Sequence, residues 1–308
     1  MSLKDSIAFE VITPVILLAG LTGNLFICCL IITNKKLRTS FNYLLLNLAI
    51  SDMLCLLFGT LFYAEQIHIR YFSTGKFSPP DLEGIVCKVT LVGIHFTTQN
   101  SVLTLAAISK DRFYAIVHPW KHRRASKKKN TRILIAVIWL VGAIISLPMM
   151  LLVMKIPNKF QGKSFLICLT FLLETGTHSF KIKVIAFINL IATYIIPMAI
   201  ILRSSLALIK HLWCHCSQQE GEQILLKTRK RITRILLSVI VAFNVFWLPW
   251  AVVEGSLLIG AVREIKDKSM VIMLSLVWSS ASVNPILYSL QSRSFRKMVG
   301  KMLRCHSG

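Results

Sequence analysis

The stretch CKVTLVGIHFTTQNSVLTLAAISKDRFYAIVHP, residues 87–119, decides how the rest of the chain is read. From Val89 to Ser109 it carries no charged side chain. Such an interval matches the roughly 20 apolar residues a helix needs to cross the hydrocarbon core of a bilayer. It ends on Lys110-Asp111-Arg112, an acid beside a base at the margin of an apolar helix. Ionisable groups next to lipid are costly, and those that occur there tend to mark function.

Composition points the same way. The 308 residues are 55% hydrophobic and 16% charged, where a soluble domain carries about 25% charged residues. A net charge of +23 would suit nucleic acid, but a soluble basic domain would not also be this apolar. Reading outward for uncharged intervals gives seven spans. They cover 11–34, 39–64 (broken by Asp52), 89–109, 133–154, 184–202, 235–253 and 269–292. In lipid the backbone must satisfy its own hydrogen bonds, so these are expected to be helices. The expected fold class is an all-α membrane protein, with residues 1–308 forming a single seven-transmembrane helix bundle. A short C-terminal interfacial helix is expected over 293–304, where Phe295, Met298, Val299, Met302 and Leu303 recur at helical spacing between bases.

Charge sets the orientation. Two-thirds of the 36 Lys and Arg lie on the face that carries the C-terminus, and most of the 13 acids lie on the other. The positive-inside rule then puts the C-terminus in the cytoplasm and the N-terminus outside, for a multi-pass protein of the plasma membrane. No secretory leader is expected, since no basic segment with a small-residue cleavage site opens the chain. The basic runs 121–129 and 227–231 are juxtamembrane; membrane lipids of anionic character and a protein partner are both open readings of them.

Polar groups recur one set per span. The first span has Gly23-Asn24 and the second Leu48-Ala49-Ile50-Ser51-Asp52. The third has Cys87, Ser101 and Asp111-Arg112-Phe113, and the fourth Trp139, with Cys168 in the loop that follows. Pro197 lies in the fifth, and Phe243 and Trp247-Leu248-Pro249 in the sixth. The seventh has Asn284-Pro285-Ile286-Leu287-Tyr288, with Phe295 after it. In this order the chain resembles a rhodopsin-like (class A) G-protein-coupled receptor over nearly its whole length. The wording Asp-Arg-Phe-Tyr-Ala-Ile-Val-His-Pro, 111–119, is similar to that of neuropeptide receptors.

The resemblance implies roles. Cys87 and Cys168 would form a disulfide outside the membrane, where such bonds persist. Asp52, Ser101 and Asn284 would hold a sodium ion at rest, with a water-filled polar knot as the other reading. Asp111, Arg112 and Phe113 would form the inner switch. Val102, Pro197, Phe243, Trp247 and Pro249 would form its central part, and Asn284, Pro285 and Tyr288 its part in span seven. Arg112, Trp120, Arg229 and Lys230 would meet a heterotrimeric G protein, although tryptophan at Trp120 also suits interfacial anchoring. Cys305 would be acylated. Two departures stand out. Arg229-Lys230-Arg231 is wholly basic where the family commonly has an acid facing the arginine of span three, and Ser205 stands where it commonly has tyrosine.

The expected ligand is extracellular and a peptide; a non-peptide small molecule or lipid is the alternative. The family's amine receptors carry an aspartate near Leu91-Val92-Gly93-Ile94-His95, which has none, and its opsins a lysine in span seven, which also has none. Ile94, His95, Thr98, Gln99, Asn189, Trp250, Glu254 and Trp278 are the expected lining of the outer cavity. Aromatic walls with acids at the rim suit a peptide with basic residues. No cofactor beyond the sodium ion is expected. A transporter would show repeated halves, and an enzyme a nucleophile or metal motif in the spans; neither pattern occurs.

Overall fold

The computed structural model describes residues 3–71, 80–125, 128–160, 163–170, 180–214, 220–259, 261 and 267–291. Long helices dominate. They are α1 Leu3–Thr33, α2 Ser40–Tyr71, α3 Pro80–Val117 and, after the short α4 Pro119–Ala125, α5 Lys128–Ser146. A single turn, α6 Met149–Leu152, leads into an antiparallel hairpin of β1 Val153–Phe160 and β2 Lys163–Thr170. The fifth span is α7 Phe180–Leu190 and α8 Ile196–Cys214, joined by a π-helical stretch Ile191–Ile195. The last two are α9 Glu220–Leu258 and α10 Asp267–Gln291.

Six of these helical segments are long and apolar enough to cross a membrane; in α10 the described apolar stretch is the shorter Ile272–Leu287. The helices run past the uncharged intervals at most ends, because a helix does not stop where charge begins. Span four is a correction. Expected over 133–154, it runs Lys128–Ser146 and breaks at Leu147-Pro148. Proline lacks the N–H needed to continue and disfavours helix in the residue before it. Residues 153 and 154 are strand instead. The hairpin is a second difference, lying in what the sequence reading left as loop. It sets Lys155 opposite Cys168 and packs on α3. The expected interfacial helix 293–304, with Phe295 and Cys305, lies outside the described residues.

Helix α3 is central and packs against α2, α5, α8 and α9. One apolar cluster gathers Leu17, Leu56, Phe62, Leu91, Trp278 and Ala281. Another gathers Leu48, Val102, Ile108, Ile201, Val239 and Phe243 nearer the Arg112 end. Outward faces stay apolar too: Leu18 is 66%, Leu140 62% and Val245 60% exposed. In water such a surface would be unstable, whereas lipid covers it without loss.

Local breaks follow from proline. Pro197 has no N–H for the carbonyl four residues back, and the preceding turn is π-helical, with Ile196 N–H donating to Ile191 O. Pro285 interrupts α10, and Gly23 of α1 lies beside it: a Cβ there would sit 3.0 Å from the proline ring. Glycine permits that approach.

Candidate polar core and switch

Asp52 is 2% exposed on α2. A buried carboxylate needs donors or a cation. Ser101 Oγ on α3 donates to its Oδ1 at 2.7 Å, and Asn284 Nδ2 on α10 donates to its Oδ2 at 2.7 Å. Three helices thus meet at one acid. A small cavity adjoins it, lined by Asp52, Thr98, Ser101, Phe243, Ser280 and Asn284 among others. Its donors are hard oxygens, the kind that suits a small cation. The sodium set of the sequence reading is therefore assembled and fits such an ion. Thr98, expected in the outer cavity, belongs here and lies 3.5 Å from Cys55 Sγ.

Trp247 sits one layer outward. Its indole Nε1 donates to Ser280 Oγ at 3.1 Å, tying α9 to α10. Its ring stacks on Phe243 at 5.8 Å. Val102 and Phe243 share a core cluster, and Pro197 is buried one residue from its Met198. Pro249 lies inside α9, next to this pair. The structure packs Val102, Phe243 and Trp247 of the expected central set together, and adds Ser280, which sequence reasoning missed.

At the far end of α3, Arg112 donates to Asp111 Oδ2 through Nη2 at 2.6 Å and Nε at 3.2 Å. His122 on α4 donates through Nε2 to Asp111 Oδ1 at 2.9 Å. The face of the Arg112 guanidinium covers Phe41 of α2 at 3.9 Å from the ring centroid. Phe41 and His122 were not singled out in the sequence: in one continuous helix eleven residues rise about 16 Å, and it is the break between α3 and α4 that brings His122 to Asp111. Phe113 packs with Ile116, Leu208 and Leu212 between α3 and α8, and Ser205 is buried nearby on α8. Trp120 is 80% exposed. The side chains of Arg229, Lys230 and Tyr288 lie outside the described residues.

The expected ligand residues divide. His95 Nδ1 lies 3.2 Å from Ser146 Oγ, and Asn189 donates to Ile145 O at 3.0 Å, so both meet at one turn of α5. Trp250 and Glu254 are half-buried on α9, while Ile94 and Gln99 are buried. Trp278 is a correction. It is fully buried among α1, α2 and α10, its indole against Gly59 and its ring 6.4 Å from Phe62. In this structure it is a packing residue, because glycine in α2 leaves a slot its size. The Cys87 and Cys168 side chains lie outside the described residues, though their segments, α3 and β2, are in contact. Cys28 and Cys55 are buried in the two apolar clusters, and Cys29 is exposed.

Residues 23–288 match the family model described as 7 transmembrane receptor (rhodopsin family). The chain belongs to that family. It is a multi-pass membrane receptor, and its relatives extend beyond one phylum. The receptor is 27% identical over 293 residues to the Allatostatin-A receptor of Bombyx mori, covering 94% of this chain and 77% of that one. It is 26% identical over 303 residues to Galanin receptor 2b of Danio rerio, covering 97% and 76%. It is 28% identical over 311 residues to the Tachykinin-like peptides receptor 86C of Drosophila melanogaster, covering 96% and 58%.

Proposed function

We propose that the receptor binds an extracellular peptide on the Cys87 side and activates a heterotrimeric G protein on the Arg112 side. The observation that carries this is the polar column through the bundle. Trp247 bonds across to α10, and one turn below Ser280 the Asp52 carboxylate ties α2, α3 and α10 together. A ligand that repacks Trp247 thereby acts on α2 and α3, which meet again where Arg112 lies over Phe41. The ligand shifts a population of bundle arrangements, by no more than its differential affinity for them. Peptide receptors among the relatives support the ligand class. His95, Asn189, Trp250 and Glu254 are the residues offered to it, and Glu254 suits a basic peptide side chain.

On this reading the basic Arg112 end faces the cytoplasm, Trp120 and the Arg229–Lys230 stretch receive the G protein, and Cys87 bonds to Cys168. Asp52, Ser101 and Asn284 hold a sodium ion in the resting receptor, and that ion supplies positive charge to the buried carboxylate. The test is a second-messenger assay in transfected cells with a neuropeptide panel, comparing wild type with Arg112→Ala. A peptide response that the variant lacks supports the reading. A response confined to lipids or amines overturns the ligand class, and peptide binding without any Arg112-dependent signal overturns the coupling.

A further inference from the structure

We propose that Phe41 is a positioning residue for Arg112, the seat that holds the guanidinium in the resting receptor. The inference rests on Arg112 being the switch, as above. Arg112 makes its polar contacts to Asp111 Oδ2, and its flat face lies over the Phe41 ring at 3.9 Å. Among the described residues its one ion pair is with Asp111, its neighbour in sequence, so that bond cannot by itself decide which helix the arginine leans on. Phe41 decides it: the arginine rests against α2.

The seat is rigid. Thr39 Oγ1 accepts from Asn42 N–H at the start of α2, a helix cap. Asn42 Nδ2 donates to Leu37 O at 2.7 Å, and Arg38 Nη2 donates to Ile32 O at 2.9 Å, closing the end of α1. The turn that carries Phe41 is thus pinned on both sides, and the ring packs on the core cluster around Leu44 and Leu48. On the far side His122 occupies Asp111 Oδ1, leaving Oδ2 to the arginine. The guanidinium side chain is only 16% exposed. A cation over an aromatic face gains most where water is excluded. Lifting Arg112 toward a partner must give up that contact.

The test uses the full receptor in nanodiscs with no G protein, and spin labels introduced as unnatural side chains at Lys35 and Arg234. The two labels report the separation of the α1–α2 turn from α9. Phe41→Leu keeps an apolar side chain but removes the ring. It is expected to raise the population with the longer label distance on the order of tenfold, a factor that follows from a desolvated cation–π contact. Phe41→Tyr, which keeps a ring face, is expected to stay at the wild-type population. In an Arg112→Gln background, Phe41→Leu is expected to add nothing to the shift of Arg112→Gln. A population within twofold of wild type in Phe41→Leu overturns the proposal, as does an equal added shift in the Arg112→Gln background. Should Phe41→Leu fail to fold, Phe41→Met carries the same comparison. Since no partner is present, a silent second-messenger assay would sink the proposed coupling and leave this result standing.

Discussion

Asn24 of α1 donates through Nδ2 to the carbonyl of Ala281 in α10, at 3.0 Å. In an unbroken helix that carbonyl would receive the N–H four residues on, and that residue is Pro285, which has none. A neighbouring helix supplies the missing donor. Asn24→Ala is therefore expected to leave a buried acceptor unpaired and cost about 1–3 kcal/mol. The measurement is thermal unfolding of the solubilised receptor. Pro285→Ala restores an N–H, so in that background Asn24→Ala should cost clearly less. Equal losses in both backgrounds would refute the pairing.

The Trp247–Ser280 bond makes a separate prediction. Trp247→Phe keeps a ring to stack on Phe243 and removes the donor. Hydrogen bonds between membrane helices are worth about 0.6 kcal/mol on average and up to about 1.7, which converts to a change of roughly threefold to seventeenfold in a two-state equilibrium. Basal second-messenger output is expected to shift by that order, and Ser280→Ala, which removes the same bond from the other side, should shift it in the same direction. Opposite shifts would show that the ring's shape, not its N–H, carries the coupling.

The family was legible because each span carried polar residues that a lipid-facing helix would not keep, such as Asp52, Asp111-Arg112 and Asn284. Their partners were less so. Ser101 and Asn284 came with the resemblance, but Phe41, His122 and Ser280 are ordinary residues whose role depends on which helix lies beside them. Trp278 is among the expected lining residues of the outer cavity, and nothing in its own span marks it as buried. Gly59, 219 positions away in the chain by number, is what buries it, and no periodicity links the two. The hairpin escaped for another reason: counting uncharged residues locates helices in lipid and says nothing of strands outside it.

Asp52 gives a test of the ion. If sodium occupies the oxygen-lined cavity in the resting receptor, raising sodium at constant ionic strength should lower agonist affinity severalfold in the wild type. Asp52→Asn keeps the size and hydrogen-bonding reach of the side chain but carries no charge, and its agonist binding should be flat across the same titration. The measurement is radioligand displacement in membranes. Sodium independence in the wild type would favour the water-filled polar knot.

His122 gives the last prediction. Its bond to Asp111 fastens α4 to α3, and α4 also carries the exposed Trp120. The turn between the two helices is already helical in its bonding, with His118 N–H donating to Tyr114 O and His122 N–H to His118 O. The side-chain bond therefore fixes how α4 is rotated more than whether it forms. His122→Phe removes the donor and keeps a flat ring. Agonist affinity measured without G protein should stay within twofold of wild type, because the ligand residues lie at the other end of α3. Second-messenger potency should fall roughly threefold to tenfold, the scale of a hydrogen bond of about 0.5–1.5 kcal/mol. His122→Gln, which can still donate to the carboxylate, should recover most of it. A loss that glutamine does not rescue would show that the ring packs α4 and the bond to Asp111 is incidental.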